Sequence, residues 1–172
     1  MPIPAAGYPL AAAHSPRVQV VETTDSTNAD VIAAVTADPE GWPHLSLLVT
    51  GDQRAGRGRL DRSWTAPAGT ALAVSVVVDA AMVPIAQRGW IPLVAGAAMT
   101  RAVRAQLTGH GGSAELKWPN DVLVDGGKIC GILAEVVPGA ADTVVVGAGV
   151  NTRMSRADLP VTTATSFAAI GA

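Results

Sequence analysis

Residues 114–147 read AELKWPNDVLVDGGKICGILAEVVPGAADTVVVG. Four β-rich runs, at 114–118, 122–124, 129–137 and 143–147, are separated by Pro119-Asn120, Asp125-Gly126-Gly127 and Pro138-Gly139-Ala140-Ala141. Glycine supplies the positive φ that tight reversals demand, and proline cannot continue a ladder. The runs therefore read as consecutive hairpins in an antiparallel sheet. Upstream, 18–22 and 45–50 are short β-rich runs, and 70–78 is a longer one bounded by Asp79. Helices are predicted at 28–37, after the capping cluster Asp25-Ser26-Thr27-Asn28, and at 90–107, where Gly109 stops the pattern. Helices flanking a largely antiparallel mixed sheet define an α+β domain.

Composition narrows the class. The chain has 172 residues, 49% hydrophobic and only 15% charged, well below the roughly 25% usual for soluble domains. That balance excludes disorder of the whole chain. A net charge of −2 gives no global positive field to collect nucleic acid. The single cysteine, Cys130, and three scattered histidines allow neither an internal disulfide nor a zinc site, which favours a reducing compartment. The longest uncharged stretch inside the domain, 63–78, is 16 residues and is broken by Pro67 and Gly69, so it is no membrane span. Residues 1–17 lack a basic stretch ahead of an apolar run and read as a flexible lead-in, not a signal peptide. A soluble cytoplasmic protein is expected. At the other end, 163–172 reads as a helix start capped by Thr165 or Ser166, one turn long and expected to fray unless the chain continues.

Two segments carry chemistry. In the stretch 51–69, which has no apolar periodicity, Arg54, Arg57, Arg59 and Arg62 alternate with Gly56 and Gly58. Glycine lets the backbone approach a ligand and arginine offers a planar fork for phosphate or carboxylate, so an anion site that closes on its ligand is expected. The plain alternative is a solvated surface loop. The spacing is not a Walker A motif, because Arg57 and Gly58 stand where lysine and a hydroxyl residue are required. Gly147-Ala148-Gly149 follows a strand but lacks the third glycine of a dinucleotide fingerprint. The second segment is Lys117-Trp118-Pro119-Asn120-Asp121 with Lys128. Ten of the twelve basic residues are arginine, so both surviving lysines fall in one block. A lysine beside Ile129 and Ile132 is costly unless it meets an anion.

Together these segments resemble the biotin protein ligases. The matching elements are Ser26-Thr27-Asn28, Gln53-x-x-Gly-Arg-Gly-Arg59 with Arg62 and Trp64, Lys117-Trp-Pro-Asn-Asp121, Lys128-x-x-Gly131-Ile-Leu, and Gly147-x-Gly-x-Asn151. The resemblance implies a class II aminoacyl-tRNA synthetase-like fold over 18–172. It also implies formation of biotinyl-5′-AMP from biotin and ATP with Mg2+, then transfer of biotin to a lysine of a carboxyl-carrier domain. Lys128 and Arg59 would be catalytic. Ser26, Thr27, Asn28, Gln53, Arg57, Gly58 and Gly131 would complete the biotin site, with Gly131 leaving room for the ligand. Arg62, Trp64, Lys117, Asn120, Asp121 and Asn151 would hold the nucleotide, Trp64 covering the adenine and Asn151 reading its edge. Asp121 would either orient Lys128 or help position ATP-bound Mg2+. The resemblance is to the monofunctional form, since 1–17 leaves no room for a DNA-binding domain. The family also continues with a small C-terminal β-barrel, so the chain is expected to lack that part. Asp61 departs from the pattern, standing where the family's loop has glycine. A lipoate or octanoate transferase of the same superfamily, an Arg-Gly RNA-binding module, and a biotin-binding chain with little turnover remain open alternatives.

Overall fold

The structure, a computed structural model, describes residues 8–172; the remainder of the expected lead-in, 1–7, lies outside the described residues. In chain order its elements are α1 (Pro9–Ala12), β1 (Val18–Val20), α2 (Thr27–Ala37), β2 (Leu47–Thr50), β3 (Gly56–Arg57), β4 (Ser63–Trp64) and β5 (Ala71–Asp79). A 3-10 segment (Ile85–Trp90) leads into α3 (Ile91–Gln106), followed by β6 (Ala114–Lys117), β7 (Asp121–Val124), β8 (Gly127–Val137), β9 (Ala140–Asn151) and α4 (Phe167–Ile170). Seven strands form one sheet in the order β1-β2-β5-β9-β8-β7-β6, and β3 with β4 makes a separate ribbon. Within the large sheet β1–β2 is parallel and the other neighbours are antiparallel. This is the expected α+β architecture.

Side-chain alternation on β9 explains why helices are needed on both faces. Val144, Val146 and Val150 belong to one buried cluster, which Ile91, Ala95, Met99 and Val103 of α3 cover. Val145, between them, belongs to a second cluster with Val31 and Val35 of α2, plus Trp42, Leu48, Val77 and Val137. Successive residues of a strand point to opposite faces, so a run of valines buries both. Each fully buried valine is worth roughly 1.5–3 kcal/mol relative to an exposed one. Gly96 lets α3 settle on the sheet, since a Cβ there would meet Leu116 Cδ1 at 2.5 Å.

Most strand ends shift by one to four residues from those expected, and three differences bear on the site. The last strand runs to Asn151, four residues past 147, because β9 pairs with β5 on one side and β8 on the other along that extension. The lead-in is tied down at its end, where Arg17 donates to the Gly41 carbonyl at 2.9 Å and lies over the Trp42 ring at 4.3 Å. The C-terminal turn is held instead of frayed. Ser166 caps α4 and donates to the Met154 carbonyl, while Lys128 N–H donates to Thr163 and Thr165 N–H donates to Lys128. Among the described residues no helix is long and apolar enough to cross a membrane.

Candidate active site

The α2 face of the sheet opens into a cavity of about 480 Å³. Its floor is built from cross-strand rows of small residues: Ala73 opposite Gly149, Gly149 opposite Gly131, and Gly147 between Ser75 and Leu133. Two residues beyond Val145, Gly147 and Gly149 continue its face, and lacking side chains they leave the space empty. A Cβ on Gly147 would fall 2.2 Å from Asn28 Oδ1, and one on Gly149 2.8 Å from the Trp64 indole. The Gly147-x-Gly149 pattern therefore admits the start of α2 on one side and Trp64 on the other.

The start of α2 forms the inner wall. Ser26 caps the helix by accepting from Ala29 N–H. Gln53 Oε1 accepts from the Thr27 N–H at 2.8 Å and from its hydroxyl at 3.0 Å. Asn28 donates to the Leu133 carbonyl at 3.2 Å and to Glu135 Oε2 at 2.8 Å, and its own oxygen accepts from Ser75. Both amide donors of Asn28 are thus consumed by the protein. Asn28 therefore lines the cavity with its amide donors braced against the wall.

On the opposite side a β-bulge sets the lysine. Val122 pairs with Cys130 and Leu123 with Lys128, so Ile129 is the extra residue. Strict alternation puts residues three apart on opposite faces; one extra residue returns Lys128 to the side of Gly131, Leu133 and Glu135. Lys128 Nζ lies 2.7 Å from Asp121 Oδ1. Asp121 is the β7 partner of Gly131, and a Cβ on Gly131 would sit 3.2 Å from that ammonium. Gly131 thus makes room for the Lys128 side chain in the first instance. Next to this pair, Asn120 is fixed by exchanging hydrogen bonds with the Ile132 backbone.

The arginine segment closes the cavity as the β3–β4 hairpin. Gly56 pairs with Trp64 and Arg57 with Ser63, and Gly58 N–H donates to the Arg62 carbonyl at 2.6 Å. The tip, Leu60-Asp61, has φ of +56° at both residues. That is the left-handed region, disfavoured for any residue with a Cβ. Arg57 reaches Glu135 at 2.9 Å and Arg59 reaches Asn120 Oδ1 at 3.3 Å.

The cavity gathers Ser26, Thr27, Asn28, Gln53, Arg57, Gly58, Arg59, Arg62, Trp64, Lys117, Asn120, Asp121, Lys128 and Gly131. Asn151 is the exception. It is buried and donates to the Thr165 carbonyl at 2.9 Å, so it anchors the C-terminal segment instead of facing the cavity. Asp121 is engaged by Lys128 through Oδ1. Sequence alone does not single out Ser75 and Glu135, which the structure joins to the cavity wall through Asn28. Glu135 was within reach of the period-2 pattern, a lone charge on the face of Gly131 and Leu133. Cys130, beneath Lys128, is buried, and burial pushes its thiol up to about 12 despite the lowering influence of Lys128.

Residues 20–151 match the Biotin/lipoate A/B protein ligase family. The chain belongs to that family. A relative in Mycobacterium tuberculosis, a biotin–[acetyl-CoA-carboxylase] ligase, is 43% identical over 137 residues, 78% of this chain and 49% of the relative. Among solved structures, the Aquifex aeolicus biotin protein ligase in complex with biotin and ATP superposes with a TM-score of 0.72 at 25% identity, covering 91% of this chain and 62% of that one. The Leishmania major biotin protein ligase in complex with biotinyl-5-AMP gives 0.69 at 27% identity, covering 88% and 63%. This family member spans about half the length of its Mycobacterium relative. Its synthetase-like sheet agrees with the architecture expected from the resemblance.

Proposed function

We propose that this chain carries the catalytic site of an ATP-dependent biotin protein ligase. The carboxylate of biotin attacks the α-phosphorus of ATP, forming a mixed anhydride while the bond to pyrophosphate breaks. The ε-amine of a lysine on a carboxylase's carrier domain then attacks the anhydride carbonyl, forming the amide and releasing AMP. The observation that carries the proposal is the placement of Lys128 by the bulge, paired with Asp121, in a cavity that Arg57 and Arg59 also line, with Arg59 held on the neighbouring Asn120. Two anions must meet in the first step, and fixed cations where charge develops lower its barrier. The compact lysine ammonium serves between oxyanions, while the guanidinium of Arg59 offers a planar fork to phosphate or carboxylate.

Thr27 and Gln53, with Ser26, supply short neutral hydrogen-bonding groups at the inner wall, suited to the ureido end of biotin. Trp64 is the aromatic surface for the adenine, and Arg62 and Lys117 are the remaining cations for the phosphates. Magnesium would enter with the phosphates of ATP; the paired carboxylate of Asp121 is not assigned to it. The lone cysteine and the consumption of ATP fit a reaction in the cytoplasm. The complexes named for the Aquifex and Leishmania structures, with biotin and ATP and with biotinyl-5-AMP, support this reading.

Biotin-dependent exchange of labelled pyrophosphate into ATP tests the proposal directly. Exchange is expected with biotin and absent with lipoate or octanoate. Exchange driven by those acids instead would move the chain to the transferase branch of its family, and no exchange with any acid would remove the activity from this chain.

A further inference from the structure

Glu135 lies outside the roles assigned above, yet it joins the two sides of the cavity. Its Oε2 accepts from Asn28 at 2.8 Å and from Arg57 at 2.9 Å, and Asn28 in turn accepts from the buried Ser75 hydroxyl. A continuous chain of polar contacts thus runs from the cavity floor, through the start of α2, to the arginine hairpin. The hairpin is anchored at its base, where Arg54 N–H donates to the Thr24 carbonyl at 2.9 Å, Ala55 N–H donates to the Asp25 carbonyl at 2.8 Å and Trp64 sits against Gly149, but its outer part has little else to hold it. Its ladder is two residue pairs, its tip carries two left-handed residues with side chains, and Leu60 at the tip is 82% exposed. Two side-chain clasps tie it across the cavity, Arg57 to Glu135 and Arg59 to Asn120, and the Arg57 clasp is the shorter. An open groove lies along the hairpin, lined by residues 55–63 together with Leu133 and Glu135, so the clasp borders solvent instead of packed core.

We propose that Glu135 is a positioning residue that sets how long the arginine hairpin stays closed over an anionic ligand. It aligns the Arg57 guanidinium from behind, and Asn28 fixes the carboxylate that does so. Arg57 and Glu135 are 46% and 24% exposed, so the clasp is weak enough to open for ligand entry. Because Asn28 also borders the inner wall, a ligand filling that wall holds Asn28, Glu135 and Arg57 in register. Ligand at the closed end then favours closure at the open end, which is the direction a two-substrate site requires if the reactive intermediate is to be retained. The ligand is taken here to be biotin, as in the proposed function.

The test replaces the carboxylate while keeping the shape. Glu135→Gln retains an acceptor for Asn28 but removes the charge facing Arg57. In the free protein, trypsin cleavage after Arg57, Arg59 or Arg62 is expected to quicken on the order of fivefold, with an unchanged Tm, and Glu135→Asp is expected to restore part of the protection. In pyrophosphate exchange, the KM for biotin is expected to rise by a similar factor, on the order of fivefold, with kcat within about twofold. An unchanged cleavage rate would overturn the proposal, as would a loss that follows Tm in every variant. The cleavage arm needs no turnover. Wild-type protein without biotin-dependent exchange would therefore refute the ligase reading, while the cleavage rates still decide the role of Glu135.

Discussion

The β7–β8 and β3–β4 hairpins reverse direction with the same backbone sense and opposite chemistry. Asp125 and Gly126 turn the first with φ of +48° and +81°, and Leu60 and Asp61 turn the second with +56° at both. Asp-Gly is the pair such a turn prefers, whereas Leu-Asp places two side chains in a region that costs roughly 1–2 kcal/mol per residue. The surroundings differ in the same direction. Val122, Val124, Ile129 and Cys130 bury the first hairpin in the core, but the second has a two-pair ladder and an exposed tip. The first bears Lys128 and Asp121; the second bears the arginines. In the proposed reaction, the group that must be aimed sits on the rigid hairpin, and the groups that must admit and then surround a ligand sit on the yielding one.

Removing the aimed group should give the largest effect. Lys128→Ala is expected to lower kcat for biotinyl-adenylate formation by about 10²–10³-fold, the range for loss of one fixed charge-stabilising donor. Circular dichroism and Tm should stay close to wild type, since Lys128 is 42% exposed and supports no core cluster. Adenylate formed at the wild-type rate would transfer the chemistry to the arginine hairpin and break the division.

Exchanging turn residues should give smaller and opposite changes. At Gly126 an added Cβ meets nothing within 4 Å, so Gly126→Ala incurs only the conformational cost of positive φ, about 1–2 kcal/mol, and urea unfolding should show it globally. Asp61→Gly relieves the same cost at the other tip, offset in part by the greater freedom of glycine in the unfolded chain. The net gain, at most about 1 kcal/mol, is local; tryptic cleavage of the arginine hairpin should slow while the urea midpoint barely moves. A global shift from Asp61→Gly, or none from Gly126→Ala, would mean the two turns do not differ in coupling to the core.

How legible each hairpin was in the sequence follows the same contrast. Asp125-Gly126-Gly127 between β-rich runs announced the rigid one, because turn chemistry and strand pattern agreed there. The yielding one read as a loop, since two-residue strands are too short for periodicity and Leu-Asp is no turn signal. The candidate site residues of that loop are still visible, as the alternation of arginine and glycine suits an anion site and needs no regular structure. The bulge at Ile129 was not, because only pairing with β7 reveals which strand holds the extra residue. The setting of Asn151 is illegible too, since the Thr165 carbonyl that takes its amide comes from a segment whose docking no local pattern encodes. The bracing of Asn28 is illegible for a similar reason: its partners Leu133 and Glu135 lie more than a hundred residues away.

Cys130 supplies the finest test, because it reports opening of the rigid hairpin without touching the ligand. Its thiol is 1% exposed and held up to about 12 by burial, against an ordinary value of 9.0. Alkylation requires an exposed thiolate, so at pH 8 iodoacetamide should leave the native protein unlabelled over times in which trypsin already cuts after Arg57, Arg59 or Arg62. The sign of the pH dependence follows from proton binding. Above about 9 the unfolded chain loses a proton that the folded chain keeps until about 12, so the Cys130 contribution to stability is complete below 9 and is lost as pH rises through that window. Labelling should therefore accelerate across it more steeply than the thiolate fraction of an unfolded peptide, and Gly126→Ala should move its onset to lower pH. Labelling at pH 8 as fast as tryptic cleavage would show the two hairpins opening together, and the contrast between them would not hold.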